Sequence, residues 1–406
     1  MPIPTWQAAG LSMAVIVGHI LIGSGALVFG VLSIGVIWTL HRLHARAPES
    51  RTTAELIASV PGTPSARAIS AIQFAAYVLI AAYTARTVAS ITLIWLSSPD
   101  AMVPEWSEPV VAVAVSAIAA VLAGAMPTRA LASVATVLAS FGLLVFFYVS
   151  LAVIAKTASG IAPIEPAFQM SATAAPAEWG PAALVVSLAI AFAGFEIPTA
   201  ASHRLRSISR PLGYAMALVV LCATLAWVAT NLATAGDFRY NASDLTQVAA
   251  AMFGTTSGFW MLTAATMAQA VAALLVLIWG ATRVVRPPRA DSVLPLVMAG
   301  VATAVVAALV SGGWAGAGSK LWGVGGLLLI VVYLVAAQAN SRLDDSNTAA
   351  RTLFAVMVLV LAAVVILKGL AEGWWPVGIA GVILAAAAVW AVKRPEPQGP
   401  RPHPLR

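Results

Sequence analysis

The chain has 406 residues, 61% of them hydrophobic and 9% charged, with a mean hydropathy of +0.93. That composition excludes a soluble globular domain and marks a polytopic helical membrane protein. A net charge of +7 would suit nucleic acid, but the basic residues are scattered through short loops, which is membrane topology; the single cysteine, Cys222, lies in an apolar run and excludes an internal disulfide or a cysteine metal cluster.

A membrane span takes about 20 apolar residues. Apolar runs fall near 4–17, 19–41, 68–97, 109–126, 130–155, 181–202, 211–235, 256–282, 292–311, 321–339, 352–370 and 374–392. Residues 1–9 carry no Lys or Arg, and the apolar run after them continues past the length of a cleavable signal. Residues 8–41 form one apolar stretch of 34 residues. Two full spans and a turn take about 40 or more, so a shortened first helix is expected.

The loops set the orientation. Alternate loops and the tail carry Arg42, Arg46, Arg51, Arg67, Arg129, Arg204, Arg206, Arg210, Arg283, Arg286, Arg289, Arg342, Arg351, Lys393, Arg394, Arg401 and Arg406, which is 17 of the 22 basic residues. The intervening loops hold Lys156, Arg239, Lys320 and Lys368, and Arg86 falls inside a span. By the positive-inside rule the arginine-rich loops and the C-terminus are cytoplasmic. Trp95, Trp106, Trp179, Trp374 and Trp375 gather at the opposite ends, as an interfacial belt does.

Spans starting near 68, 109 and 130 have counterparts near 256, 292 and 320, about 185–190 residues later. An odd number of spans per unit inverts the second copy, the arrangement of inverted-repeat transporters. Repeat one is expected over about 1–156, repeat two over about 181–340 and extra helices over about 352–392. All belong to one transmembrane domain, 1–392, with a disordered Pro- and Arg-rich tail at 393–406.

Within the second repeat, Phe192-Ala193-Gly194-Phe195-Glu196 and then Pro198 interrupt an apolar run. A carboxylate, a glycine and a proline are costly at that depth. Non-helical backbone is tolerated there only where protein or a water-filled cavity surrounds it, and an intramembrane Glu marks a functional site by default. This stretch reads as a helix break lining a substrate site, against the plainer alternative of a packing glycine in an unbroken helix. Glu196 either binds or relays a proton, or caps the broken helix. The repeat offset puts the partner break near residues 4–10.

The segment Ala191–Glu196, followed by Arg206-Ser207-Ile208-Ser209-Arg210-Pro211, resembles the sixth helix of the amino acid/polyamine/organocation (APC) permeases. Ala47-Pro48-Glu49-Ser50 is similar to that family's corner after helix two, without its paired glycines, and Ala281-Thr282-Arg283 to its helix-eight end. The likeness covers roughly residues 20–390, and size and short loops are most similar to the small bacterial branch linked to neutral amino acid export. The resemblance implies an all-α, five-plus-five inverted-repeat (LeuT-like) transporter fold with two extra C-terminal helices, about 11–12 spans in all. Two departures stand out. Ile22-Gly23-Ser24-Gly25 matches the family's helix-one hinge by letters, but lies too close to Pro48 and reads rather as a small-residue packing site. The hinge is then absent or degenerate near residues 1–10: either the reading frame starts further upstream or the homologue is shortened. The position of the proton-coupling lysine on helix five falls at about Ala139, so lysine-based coupling is not supported.

Around Glu196, Arg86 is the basic residue at comparable depth, a charge pair that would lower the cost of both groups; its alternative is snorkelling outward. Tyr77, with Phe74 and Tyr83, could shape the pocket. Thr263, Thr266 and Gln269 give one polar face toward the bundle, commonly interhelical hydrogen bonding, with Thr266 carried forward as a substrate contact. Residues 241–253 form a capped amphipathic segment, read as an outer lid. The candidate substrate site is Phe192, Ala193, Gly194, Phe195, Glu196, Tyr77 and Thr266, with Glu196 and Arg86 as the coupling pair and no metal or cofactor.

The expected function is secondary active transport of amino acids or related small amines across the inner (plasma) membrane, by export or exchange. The alternative is a non-transporting sensor or partner subunit, or an inactive paralogue lacking the helix-one hinge. No metalloprotease or hydrolase motif lies at membrane depth, so an enzyme is not expected. The partners are the bilayer and a small-molecule substrate, not nucleic acid, with a homodimer left open.

Overall fold

A computed structural model describes residues 2–17, 25–96, 104–160, 194–205, 207–235, 249, 253, 255–285, 293–312, 317–343 and 347–393. The described residues form helices α1 (Thr5–Val17), α2 (Gly25–Arg46), α3 (Thr53–Ala58), α4 (Ala66–Leu96), α5 (Ser107–Ala125) and α6 (Thr128–Ala158). A 3-10 segment (Ile197–Arg204) follows, then α7 (Ser209–Ala235), α8 (Thr255–Val284), α9 (Leu294–Ser311), α10 (Ala317–Leu343), α11 (Thr348–Glu372) and α12 (Trp375–Lys393). Nine of these are long and apolar enough to cross a membrane, so the chain is an all-α multi-pass membrane protein.

The order of helices repeats and so does their packing. From α2 and α4–α6 to α7 and α8–α10, each helix starts about 185–190 residues after its counterpart. The lengths correspond as well: 31 and 30 residues for α4 and α8, and 19 and 18 for α5 and α9. Counterparts touch each other, α2 with α7, α4 with α8 and α5 with α9. Contacts between non-counterparts come in related pairs: α6–α8 with α10–α4, α6–α7 with α10–α2, and α4–α9 with α8–α5. Contacts paired this way are what a two-fold relation between two units produces, here the five-plus-five inverted repeat. Helices α11 and α12 lie outside the pairing and pack on α10 and α4.

Sequence explains which helices are central. In the apolar windows of α4, α8 and α10, 67%, 67% and 78% of residues are buried, against 22% in α11 and 17% in α12. The central helices are rich in Ala and Gly, which lets backbones approach without cavities. Gly325 of α10 shows this: a Cβ there would meet the Ala76 carbonyl oxygen of α4 at 3.0 Å. Several helix hydroxyls are satisfied within their own helices, as Thr84 on the Ile80 carbonyl and Ser150 on the Phe146 carbonyl.

One end of the bundle is basic. There the Arg129 guanidinium donates to the Pro2 carbonyl (2.6 Å), the Ile3 amide donates to the Arg204 carbonyl (3.0 Å), and Arg342 donates to the Gly62 carbonyl. Helix α1 therefore starts at the basic end, beside the start of α6, with Gln7 donating to Ser133 (2.7 Å). Its described part runs over 13 residues, Thr5–Val17, and residues 18–24, on which the expected shortening of the first helix depends, lie outside the described residues. It is continuous from Thr5 to Val17, so the break expected near residues 4–10 does not occur there. The Gly23-Ser24 site, nearly all of the 241–253 lid and the tail beyond Lys393 lie outside the described residues.

Candidate functional site

The chain turns at Gly194. Its φ is +103°, a conformation that side chains with a Cβ rarely adopt. A Cβ at this position would also meet Val15 Cγ1 of α1 at 2.6 Å. Glycine is thus required twice, by the turn and by the approach of α1; the space in front of it is taken up by Val15. The Ile197 amide donates to the Gly194 carbonyl (3.1 Å) and the Thr199 amide to the Glu196 carbonyl (2.8 Å). These short-range bonds wind the chain into 3-10 turns rather than α-helix. Pro198 supplies no N–H, and Ala201 (φ −132°, ψ 31°) kinks the segment before it reaches the basic end. The described residues therefore show a turn at Gly194–Glu196 that leads into 3-10 turns, at the junction of α1, α4, α8 and α10; the stretch before it, 161–193, on which the expected helix break also depends, lies outside the described residues.

Glu196 sits just after Gly194 in that turn with no solvent-exposed surface. Its Oε1 accepts from the Tyr77 hydroxyl of α4 (2.7 Å), and its Oε2 accepts from the Tyr333 hydroxyl of α10. Both hydroxyls are oriented by donors of their own. The Gly194 amide donates to Tyr333 Oη (2.8 Å), and the Gln73 amide donates over a longer 3.5 Å to Tyr77 Oη. A hydroxyl whose oxygen already accepts has its hydrogen free to point at the carboxyl group. The result is a chain from the Gly194 amide through Tyr333, Glu196 and Tyr77 to Gln73, spanning both repeats. Two more contacts lock the turn: Ser12 of α1 donates to the Phe195 carbonyl (2.7 Å), and the Phe195 ring lies 5.5 Å from that of Tyr333. On the side toward the basic end, Thr53 of α3 meets Thr199.

The depth follows from position. Tyr77 is eleven residues from the basic end of α4 and Tyr333 ten from that of α10. At ~1.5 Å per residue that is about 15 Å, the middle of a hydrocarbon core of ~30 Å.

Of the residues singled out from sequence, the structure brings Gly194, Phe195, Glu196 and Tyr77 together. Phe192 and Ala193 lie outside the described residues. The expected pairing of Arg86 with Glu196 does not form. Arg86 Nε bonds Glu108 Oε1 at 2.7 Å, and the Ser90 hydroxyl joins the same oxygen at 2.9 Å. Arg86 is nine residues beyond Tyr77 on α4, about 13 Å further from the basic end. There it meets the first turn of α5, and the pair keeps 34% and 26% of its side-chain surface exposed, which spares it much of the desolvation that a central pair would carry. Thr266 donates to the Leu262 carbonyl of its own helix (2.9 Å). It lies fourteen residues along α8 from Gly280, the residue packed against Tyr77 and Ile197, or about 21 Å from the turn. Ala139 is buried in α6, where the resemblance would have placed a lysine.

Tyr333, Ser12 and Gln73 are site residues that the sequence does not single out. Each is one polar atom group in an apolar run, Val331-Val332-Tyr333-Leu334 being the clearest. The signal available was polarity at mid-span depth on three separate helices.

Among solved structures the chain is similar to the Eremococcus coleocola manganese transporter. For a mutant of that protein in which a histidine is replaced by alanine, the TM-score is 0.52 at 13% identity, over 96% of this chain and 93% of that one. For a mutant with a glutamate replaced by alanine it is 0.52 at 12%, over 96% and 92%. The same transporter in complex with an aromatic bis-isothiourea substituted compound gives 0.51 at 12%, over 96% and 93%. At such identity the likeness is one of fold. No family model matches the sequence, and no curated protein matches it.

Proposed function

We propose that the chain is a secondary transporter of amino acids or related small amines, of the APC type, working by alternating access about the Gly194–Glu196 break. It lies in the inner membrane with its basic end and C-terminus in the cytoplasm. The observation that carries this reading is Glu196, a carboxyl group fully buried just after the Gly194 turn and held by one tyrosine from α4 and one from α10. A group so costly to bury is retained where two units of the bundle must be tied together and released. The fold shared with a membrane transporter supports the same reading, as does the positive bias of one end. The substrate of that transporter is not carried over: a manganese ion needs several hard or nitrogen ligands, and among the described residues no three His, Cys, Asp or Glu side chains are grouped.

In this reading the hydroxyl bonds to Glu196 form the middle of a closed state. Hydrogen bonds to a charged group contribute ~1.5–3 kcal/mol each, and conformers that interconvert differ by a few kcal/mol. Exchanging one tyrosine contact for a substrate contact is therefore enough to shift the balance between states.

The test is counterflow in proteoliposomes holding the purified full chain, with a radiolabelled amino acid and amine mixture as probe. Saturable uptake that falls about tenfold or more in Glu196→Gln, with the variant still monodisperse, is the expected result. A folded wild-type chain that moves no solute would overturn it in favour of a sensor or an inactive paralogue.

A further inference from the structure

Away from Glu196, a cavity of about 400 Å³ opens at the basic end of the bundle, where α1, α6 and α7 begin. Its lining includes Pro2 and Thr5 at the start of α1, Arg129 of α6, Ser207, and Arg210 and Pro211 of α7. Arg129 and Arg210 are each the second residue of their helix. The wall thus carries two guanidiniums and two hydroxyls, and no acidic residue is among its described lining. The Pro2 carbonyl accepts from Arg129 (2.6 Å), which fixes that guanidinium at the wall. Arg210 is exposed, and among the described residues no carboxylate pairs with it. The helix starts add their own preference for negative charge to that of the two arginines.

The surface of α7 below the cavity shows what kind of anion fits. Tyr214, Leu218 and Leu221 are 60%, 47% and 49% exposed. They follow Arg210 at spacings of four, four and three residues, which puts all four on one helix face. Exposed apolar side chains along a membrane-spanning helix face lipid tails, which are as apolar as they are. Tyr214 lies about 6 Å along the helix from Arg210, at the interfacial depth that tyrosine favours. The cavity is therefore continuous with a strip suited to an acyl chain, for which a small soluble anion has no use.

We infer that this cavity holds the phosphate of an anionic phospholipid from the leaflet at the basic end, with an acyl chain laid along Tyr214, Leu218 and Leu221. The phosphate takes charge-assisted hydrogen bonds from Arg129 and Arg210; basic pockets between spans suit such headgroups. A zwitterionic lipid brings the same phosphate with a cation attached, which two guanidiniums repel. The bound head ties the starts of α6 and α7 together across the start of α1. The inference does not depend on what the chain transports.

The test is a titration of the purified, delipidated full chain, read by native mass spectrometry. The probes are dioleoylphosphatidylglycerol, dioleoylphosphatidylcholine and inorganic phosphate. One phosphatidylglycerol is expected to bind about tenfold or more tighter than phosphatidylcholine, and inorganic phosphate at the same concentration should not displace it. These wild-type comparisons depend on no variant folding. Arg210→Gln, at an exposed position, should weaken phosphatidylglycerol about tenfold and leave phosphatidylcholine unchanged. Arg46→Gln removes an exposed arginine that does not line the cavity, and should change the affinity less than about twofold. Equal binding of the two lipids, or equal losses in Arg210→Gln and Arg46→Gln, would overturn the site: the basic end would then attract anions by its overall charge alone. Displacement by inorganic phosphate would overturn the assignment to a lipid.

Discussion

Glu196 and Glu108 are both carboxylates in the described helical bundle, and they are held in opposite ways. Glu108 opens α5, keeps 26% of its side-chain surface exposed and pairs with the guanidinium of Arg86. Its position in the first helical turn also favours a negative charge. Glu196 is fully buried at the turn and is held by two neutral hydroxyls. The partner follows the depth. Near water, a charge pair is inexpensive to form and contributes little. At the centre, a second formal charge would have to be desolvated too, whereas a tyrosine brings a hydroxyl donor on an apolar ring. Glu108 is thus a fastening between two helices through a charge pair, and Glu196 is held by hydroxyls, with no counter-charge among its hydrogen-bond partners.

The largest effect expected from breaking this contrast is at the turn beneath Glu196. Gly194→Val places a β-branched side chain at φ +103° and against Val15, where even a Cβ approaches to 2.6 Å. A residue forced into such a conformation costs ~1–3 kcal/mol before the clash is counted. Thermal unfolding in detergent should drop sharply and transport should be lost. Gly194→Ala combined with Val15→Ala removes the clash and leaves the dihedral cost. It should recover part of the stability lost in Gly194→Ala alone; no recovery would mean that α1 does not pack on the turn.

The two tyrosines come next. Tyr333→Phe removes the donor to Glu196 and also leaves the Gly194 amide without its acceptor. An unmet buried polar group costs ~1–3 kcal/mol. Tyr77→Phe removes one donor to Glu196, and its other partner, Gln73, is already 3.5 Å away. Tyr333→Phe should therefore be the more damaging in both unfolding temperature and counterflow rate. Equal effects would show that the Gly194 amide is satisfied in some other way.

Much of this was legible in the residues. Arginine-rich alternate loops gave the basic end, and the recurrence of long and short apolar runs anticipated the paired contacts of α4–α6 and α8–α10. The turn at Gly194 and the non-α backbone after it were legible because glycine, carboxylate and proline each cost energy in a span, so their coincidence was informative. Partner choice was not. Matching Arg86 to Glu196 used charge and approximate depth, but nine residues along a helix is about 13 Å, beyond any hydrogen bond. Tyr333 was illegible for a related reason. A tyrosine in an apolar run packs as readily as it bonds, and only the fold brings residue 333 to residue 196. Helix α1 shows the limit of offset arithmetic: the repeat put its break near residues 4–10, where the chain forms continuous helix against α6.

The smallest effect belongs to the outer pair and is the sharpest check on the comparison. Exposed ion pairs contribute ~0–1 kcal/mol, and about a third of the Arg86 side chain is exposed. Arg86→Gln, Glu108→Gln and the exchange Arg86→Glu with Glu108→Arg should each change the unfolding temperature little, and the exchange should do best because it restores an ion pair. Counterflow should stay within about twofold of wild type, since ~0.4 kcal/mol corresponds to that factor. Combining Arg86→Glu with Glu196→Arg should instead be as defective as the loss of Glu196 alone. It buries a guanidinium between two tyrosines whose hydrogens point at it, and sets a second carboxylate beside Glu108 without a counter-charge. Recovery of transport in that double variant would mean that Arg86 and Glu196 meet in another state of the cycle, and that depth does not separate the two carboxylates.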